Sequence, residues 1–215
     1  MVTPPAPPPC FLKGTMILTP TGEVAIERLK IGDLITTHDG AEKPIRWIGR
    51  RRFTSEKGNW PARFVPIRVR AGALGPRSPK RDLHLSPGHM IYIDGVLVPA
   101  KYLADGENIA AVPPAAGAAI EYFHIELEDH DLLVSDGAPT GSLRAGPLKR
   151  ERFGNFAEYA RLYPDDRRGK PKPYAEICPS GLGAILKHIP GVPHGCPKVA
   201  AIRKRLAARA LETVI

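Results

Sequence analysis

Cysteine is scarce in this chain, which has only Cys10, Cys178 and Cys196 among its 215 residues. Three cysteines are too few for a disulfide framework, and an odd number leaves at least one thiol unpaired within the chain. The sequence also lacks an apolar run of the ~18 residues that a bilayer-spanning helix needs, and it lacks a basic start followed by an apolar stretch. We therefore predict no transmembrane segment and no N-terminal Sec signal. The compartment stays open between cytoplasmic and exported.

Long helical patterns are also rare, whereas 24 prolines and 21 glycines punctuate the chain. Short runs of β-type residues follow one another between turn signals, and Asp94-Gly95 lies between two apolar runs as a hairpin turn does. A second Asp-Gly pair, Asp136-Gly137, ends the apolar run 121–135. These patterns predict an all-β domain over residues 10–143.

The two ends of the chain differ from this domain. Residues 1–9 are rich in proline, which lacks the amide donor of a helix or central strand, so we expect an extended leader. Residues 144–215 form a basic extension with a possible short helix at 153–162 and a stronger one at 198–212. In the second helix an apolar stripe is predicted to pack on the β domain or on a partner: Val199, Ile202, Leu206 and Ala210.

The net charge of +9 is concentrated in this extension. Residues 1–143 hold 16 basic and 16 acidic residues, whereas residues 144–215 hold 15 basic and 6 acidic ones. Such a tail either is a solvated face or meets an acidic partner, an anionic membrane surface or nucleic acid. No arginine-rich run with interleaved aromatic residues is present, so we predict no specific nucleic-acid binding.

Three local motifs stand in a fixed order along residues 10–143. They are CFLKGT at 10–15, LSPGHMIYI at 85–93 and YFHIELEDHDLLVSDG at 122–137, with PIRWIGRR at 44–51 between the first two. In this combination the chain resembles the Hint domain, the self-processing module of inteins and hedgehog proteins, and within it the bacterial Hint-type subfamily. The resemblance implies an all-β, Hint-type horseshoe with pseudo-two-fold symmetry, followed here by a basic helical C-terminal extension.

The resemblance also implies a set of catalytic residues. Cys10 matches the thiol that attacks the preceding carbonyl in an N-to-S acyl shift, which here would break the Pro9-Cys10 peptide. His89 matches the acid that protonates the departing nitrogen, and Ser86 replaces the threonine that orients the scissile peptide. His124 falls where many inteins have an aspartate, and His130 matches the histidine that follows in that block. The resemblance further implies that the substrate is the chain's own N-terminal segment. Water or a small nucleophile would be the acyl acceptor, and no cofactor would take part.

Departures from the splicing pattern shape the predicted outcome. Residues 136–142 offer no asparagine that could cyclise, so we expect cleavage or transfer of the N-terminal segment without full splicing. The ring of Pro9 crowds the carbonyl under attack, and nine leading residues are too few to fold. Either a longer precursor supplies the cargo, or the chain is a catalytically lapsed interaction module that uses its basic tail.

A second cluster of metal-binding residue types lies in the extension: Cys178, His188, His194 and Cys196. Two cysteines and two histidines suit tetrahedral zinc, but the spacing lacks the close cysteine pair of a zinc finger. We expect free thiols instead, or one disulfide in an exported protein.

Overall fold

A computed structural model describes residues 7–55, 58–144, 150–166, 171–177 and 197–212. The segment that contains Cys178, His188, His194 and Cys196 lies outside the described residues, as does most of the leader. The strands are β1 (Phe11–Leu12), β2 (Met16–Thr19), β3 (Gly22–Ala25), β4 (Leu34–Thr36), β5 (Glu42–Pro44), β6 (Trp47–Phe53), β7 (Ile67–Val69), β8 (Leu83–Leu85), β9 (Met90–Ile93), β10 (Val96–Pro99), β11 (Ile109–Ala111), β12 (Ile120–Glu126), β13 (Leu132–Ser135), β14 (Ala138–Gly141) and β15 (Glu176–Ile177). The helices are a 3-10 turn at Ile26–Arg28, α1 (Ala100–Leu103), α2 (Phe156–Leu162) and α3 (Pro197–Glu212).

The strands form two large sheets and one small one. The first sheet has the order β11-β7-β8-β1-β12-β6, and the second has the order β15-β10-β9-β14-β13-β2-β3. Strands β4 and β5 pair by themselves. The prediction of an all-β fold is therefore confirmed, and within the described ranges helix is confined to short segments and the C-terminal extension.

The order of strands shows a pseudo-two-fold relationship between two halves of the chain. Strands β1 and β8 lie side by side at the centre of the first sheet, β12 flanks β1 as β7 flanks β8, and β6 and β11 end the two sides. In the second sheet the β13-β14 hairpin lies between the hairpins β2-β3 and β9-β10. Strand β7 thus pairs with β8 as β12 pairs with β1, which is the symmetric arrangement that the Hint-type prediction implies.

Both Asp-Gly pairs form tight turns. Asp94 and Gly95 have φ angles of 50° and 78°, and Asp136 and Gly137 have φ angles of 48° and 83°. Two successive residues with positive φ are the requirement of a type I′ turn, whose twist matches that of the flanking strands. Asp94-Gly95, which predicted a hairpin in the sequence, is therefore the turn of β9-β10, and Asp136-Gly137, expected only to end the run 121–135, is the turn of β13-β14.

Apolar side chains cover both faces of the first sheet. One face packs against the second sheet in the main core, to which Phe11, Phe123 and Ile125 belong. The other face carries a separate group, called here the aromatic cluster: Cys10, Trp47, Phe64, Ile120, Tyr122, Leu143, Phe153 and Tyr159. Strand β12 is buried on both faces for this reason, and it lacks the alternation of a half-exposed strand.

Two apolar runs are shorter as strands than their sequence suggests. The run 96–103 leaves the strand conformation after Pro99 and continues as the single-turn helix α1. The run 121–135 divides into β12 and β13, because residues 127–131 carry the chain from the first sheet to the second. Periodicity alone does not show such a change of sheet, since the side chains on both sides of the break are buried.

The extension packs on the β domain through both of its predicted helices. Helix α2 lies within the predicted range 153–162, and α3 buries Val199, Ile202 and Leu206 in the main core. Arg205 of α3 forms an ion pair of 2.6 Å with Asp94. Among the described residues, no helix combines the length and apolarity that a membrane crossing requires.

Candidate active site

Cys10 lies at the entrance to the central strand of the first sheet. Strand β1 pairs on one side with β12 and on the other with β8, and Phe11 is the partner of both Phe123 and Leu85. Both pairings are antiparallel, so one step before Phe11 places Cys10 beside His124 of β12 and Ser86 after β8. The residues of the first and second motifs therefore meet because their strands are neighbours.

The hydroxyl of Ser86 contacts the peptide that precedes Cys10. Its Oγ accepts a hydrogen bond of 2.7 Å from the amide nitrogen of Cys10 and donates one of 3.2 Å to the carbonyl of Pro8. The Ser86 amide donates to the carbonyl of Cys10 at 2.8 Å. These three bonds hold the chain on both sides of the Pro9-Cys10 bond, and they are buried.

His89 follows Ser86 in a tight turn. Its amide donates to the Ser86 carbonyl at 3.0 Å, and its ring lies 4.1 Å from the ring of Phe11 and 4.8 Å from that of His124, centroid to centroid. Burial lowers the pKa of His89 well below its usual value, and the nearby charges of His124 and His130 lower it further. The imidazole is therefore neutral near pH 7. Within the described part of the chain, its ring nitrogens have no hydrogen-bond partner.

The structure separates His130 from the other two histidines. His124 lies on β12 opposite Gly49, with its ring 5.5 Å from that of Phe11 and 4.8 Å from that of His89, so it belongs with His89 to the group that packs on the Phe11 ring. His130 precedes β13, where its Nδ1 accepts a hydrogen bond of 2.8 Å from the amide of Tyr174. Its Nε2 lies 3.1 Å from the position that a Cβ would occupy on Gly141. His130 acts on His89 through its charge, while its hydrogen bond anchors the extension.

The Cys10 side chain belongs to the aromatic cluster and is fully buried. Burial raises the pKa of the thiol well above its usual value, and the positive charge of Arg51 opposes this rise. Arg51 lies on β6, directly opposite Tyr122 of β12. The thiol at rest is thus protonated, and a thiolate would be favoured by the Arg51 charge.

Two further residues near Cys10 could not be predicted from the sequence. The Tyr122 hydroxyl donates to the carbonyl of Phe64 at 2.9 Å, and its pKa is raised by burial and by its neighbour Cys10. Arg51 is one of three consecutive arginines, Arg50, Arg51 and Arg52. Only the register of β6 against β12 shows which of the three shares a face with Cys10, and the motif gives no signal of it.

The described residues hold no group of three or more histidine, cysteine, aspartate or glutamate side chains arranged to bind a metal ion. Cys178 and Cys196, for which we expect free thiols or one disulfide rather than zinc binding, lie outside those residues, so that expectation stays a prediction.

Comparisons with known proteins bear on the family of this chain. Among solved structures, the bacterial intein-like domain from Clostridium thermocellum is 22% identical and aligns over 62% of this chain and 98% of that one, with a TM-score of 0.43. A DnaB intein from Synechocystis sp. PCC 6803 is 13% identical over 63% of this chain and 99% of that one, with a TM-score of 0.40. No curated protein matches the chain. The model of the Hint domain family matches residues 9–147, which include all five predicted site residues, and the chain therefore belongs to the Hint domain family.

Proposed function

We propose that this chain processes itself once, with Cys10 as the nucleophile and the Pro9-Cys10 peptide as the substrate. The Cys10 sulfur forms a bond to the carbonyl carbon of Pro9, and the bond from that carbon to the Cys10 nitrogen breaks. The thiol proton ends on this nitrogen, which becomes a free amine. The product is a thioester that joins the upstream segment to the Cys10 side chain.

The contacts of Ser86 support this proposal most directly. A hydroxyl that accepts from the leaving nitrogen and donates to the carbonyl of Pro8 fixes the orientation of the intervening peptide. Orientation of this kind converts a slow encounter into an intramolecular attack, which is one of the larger sources of rate in enzymes. A merely structural turn has no need to hold both sides of a single peptide bond.

His89 is assigned the proton transfer in this proposal. Because its lowered pKa keeps the ring neutral near pH 7, a ring nitrogen of His89 is able to accept the thiol proton. The proton then passes to the Cys10 nitrogen. His124, with its ring 4.8 Å from that of His89, positions the imidazole. A well-placed acid or base contributes about 10²- to 10⁴-fold, roughly 3 to 5 kcal/mol of the barrier.

The thioester is then resolved by water or a small nucleophile. Residues 136–142 supply no asparagine for cyclisation, so the expected outcome is release or transfer of the upstream segment, and the downstream junction stays intact. The substrate of the domain is accordingly its own flanking segment.

The test is an intact-mass measurement on the chain with a small folded domain fused ahead of Met1. With a thiol or hydroxylamine present, the wild type should release that domain together with residues 1–9, and Cys10→Ala should stay whole. Cys178→Ser with Cys196→Ser is the matched control, because it removes the other two thiols and should cleave like the wild type. A wild-type fusion that stays whole for hours in hydroxylamine would overturn the proposal.

A second candidate function is supported by the exposed side of α3. Arg203 and Lys204 are exposed, whereas the apolar stripe of the helix is buried on the domain. This arrangement suits docking of an acidic protein surface by a fold that no longer processes itself. Reversal of both charges, Arg203→Glu with Lys204→Glu, should then weaken association with acidic partners and leave the mass of the chain unchanged. Equal retention of the variant and the wild type on an acidic protein matrix would contradict it.

A further inference from the structure

A segment beyond the family match lies over the face of the sheet that holds the Cys10 thiol. We call residues 150–166 the cover. The amide of Gly154 donates to the Arg50 carbonyl at 2.8 Å, the Arg50 amide donates to Asn155 Oδ1 at 2.7 Å, and Asn155 Nδ2 donates to the Ile48 carbonyl at 2.9 Å. The cover thus completes the hydrogen bonds of β6, which is the edge strand of the first sheet.

A buried ionic group fastens both ends of the cover. Arg150 donates to both oxygens of Glu126, Nε at 2.9 Å and Nη2 at 2.7 Å. Arg46 links the same carboxylate to Asp166 at the other end, at 3.1 Å and 3.2 Å. The Tyr159 hydroxyl donates to Asp166 as well. Separation of the cover would leave buried charges without these partners, which is costly, so the closed state is held firmly.

The underside of the cover extends the aromatic cluster that contains Cys10. Phe153 meets Trp47 edge-on at 5.3 Å between centroids, and Tyr159 meets it at 5.1 Å. A Cβ on Gly49 would lie 2.5 Å from the Phe153 ring, so this glycine leaves room for the contact. The cover also touches the charge beside the thiol, because Arg51 donates to the carbonyl of Arg152.

We propose that the cover determines which acyl acceptor reaches Cys10, by closing the compartment of the thiol to water and opening it to a nucleophile only when residues 150–166 separate from β6. The proposal rests on the self-processing function given above. With the cover in place, the thioester between Pro9 and Cys10 is shielded from hydrolysis and persists. When the cover leaves, the entering nucleophile forms a bond to the Pro9 carbonyl carbon, the thioester carbon–sulfur bond breaks, and the thiol takes back a proton.

Alkylation of Cys10 by iodoacetamide tests the closure without any need for processing. Peptide mass mapping separates Cys10 from Cys178 and Cys196. Two variants weaken the cover: Asn155→Ala loses two hydrogen bonds to β6, and Glu126→Gln loses the charge that pairs with Arg150. In both, Cys10 should be alkylated about tenfold faster than in the wild type, because a buried group reacts through local opening.

Glu23→Gln is the matched control for Glu126→Gln. It removes an ion pair with Arg81 that lies away from the cover, and its Cys10 should react at the wild-type rate. If Glu126→Gln does not fold, the alkylation rates of Asn155→Ala and Phe153→Ala test the proposal. If these fold, as shown by circular dichroism, and their Cys10 reacts no faster than in the wild type, the cover has no gating role.

Cleavage of the upstream fusion separates this inference from the proposed function. Faster alkylation together with faster capture by hydroxylamine in Asn155→Ala supports both. If alkylation is faster in Asn155→Ala but the fusion never cleaves, self-processing is contradicted, and the only role left for the cover is to shield the Cys10 thiol. Unchanged alkylation in a chain that does cleave contradicts the cover alone.

Discussion

The Oγ atom of Ser86 lies 2.7 Å from the amide nitrogen of Cys10, the atom that would leave in an acyl shift. The same hydroxyl reaches the carbonyl of Pro8 at 3.2 Å. A single side chain, 76 residues away in sequence, therefore holds both sides of one peptide bond. The pairing of β1 with β8 brings it there, so the centre of the fold and the candidate site depend on the same strand contact.

Loss of this hydroxyl should slow release of the upstream segment more than it affects stability. Ser86→Ala removes the partner of the buried Cys10 amide, and we expect cleavage to fall about 10- to 100-fold with a loss of about 1–3 kcal/mol in the free energy of unfolding. Ser86→Thr keeps a hydroxyl and should retain most of the rate. Intact-mass time courses measure the first quantity, and urea unfolding measures the second.

Ser135 offers a matched control for this experiment. Its hydroxyl is buried and bonds to Thr140 Oγ1 at 2.7 Å, away from Cys10. Ser135→Ala should lower stability by a similar amount and leave the cleavage rate of the folded protein unchanged. Equal slowing in both variants would assign the effect of Ser86→Ala to general destabilisation.

The buried His89 predicts a loss of stability in mild acid. Its pKa in the folded state is lowered by burial and by the neighbouring histidines, whereas in the unfolded chain it is expected near 6.5. The unfolded state therefore binds the proton more readily, so stability is complete above about pH 6.5 and falls as the pH drops below it. Urea unfolding at pH 7.5 and 5.5 should show this fall, and His89→Gln should reduce it. An equal fall in the variant would assign it to other groups.

The thiol of Cys10 should titrate at unusually high pH, with Arg51 limiting the shift. Burial raises the pKa of Cys10, and the Arg51 charge lowers it, so loss of that charge moves the midpoint of the alkylation pH profile upward. We expect this for Arg51→Gln, while Arg51→Lys keeps the charge and the wild-type midpoint. Arg52→Gln, at an exposed neighbour on the other face of β6, is the control. A midpoint unchanged in Arg51→Gln would remove Arg51 from the site.

Gly49 should tolerate no side chain while the cover is closed. The Cβ of an alanine would lie 2.5 Å from the Phe153 ring, and overpacking of this kind typically costs about 1–3 kcal/mol. Gly49→Ala should therefore lower the unfolding free energy and speed alkylation of Cys10. Gly88→Ala, which meets no atom within 4 Å, should leave stability within about 0.5 kcal/mol of the wild type. Equal stability of Gly49→Ala and the wild type would contradict the tight contact.

The turns and the central motifs were predictable because their signals are local. Asp94-Gly95 forms the expected hairpin turn, since few other residue pairs adopt positive φ twice in succession. The ordered motifs also indicated the family, and they contain Ser86, which bonds the Cys10 amide, and His89 and His124, whose rings lie 4.8 Å apart. The assignment of their chemical roles stays a proposal.

What the sequence did not show depends on contacts between distant segments. Glu126 looks like one more acidic residue in a run of alternating character, yet it is buried and binds Arg150 across 24 residues. The sequence predicts a possible short helix at 153–162 but not its burial, because Phe153 and Tyr159 are too widely spaced to mark a buried face without their partners on β6. Periodicity detects an apolar stripe, but it does not identify the surface that buries it.

The position of the cover in the chain gives the domain a sequence of events during synthesis. A ribosome releases Cys10 first, then the strands that surround it, and only afterwards residues 150–166. Until those residues emerge, the cover does not yet lie over Glu126 and the face of the sheet that holds Cys10. If the cover closes the thiol compartment as proposed, the interval between completion of the β domain and arrival of the cover is a period in which the nascent thiol is open to the surrounding medium, and the speed of translation sets how long it lasts.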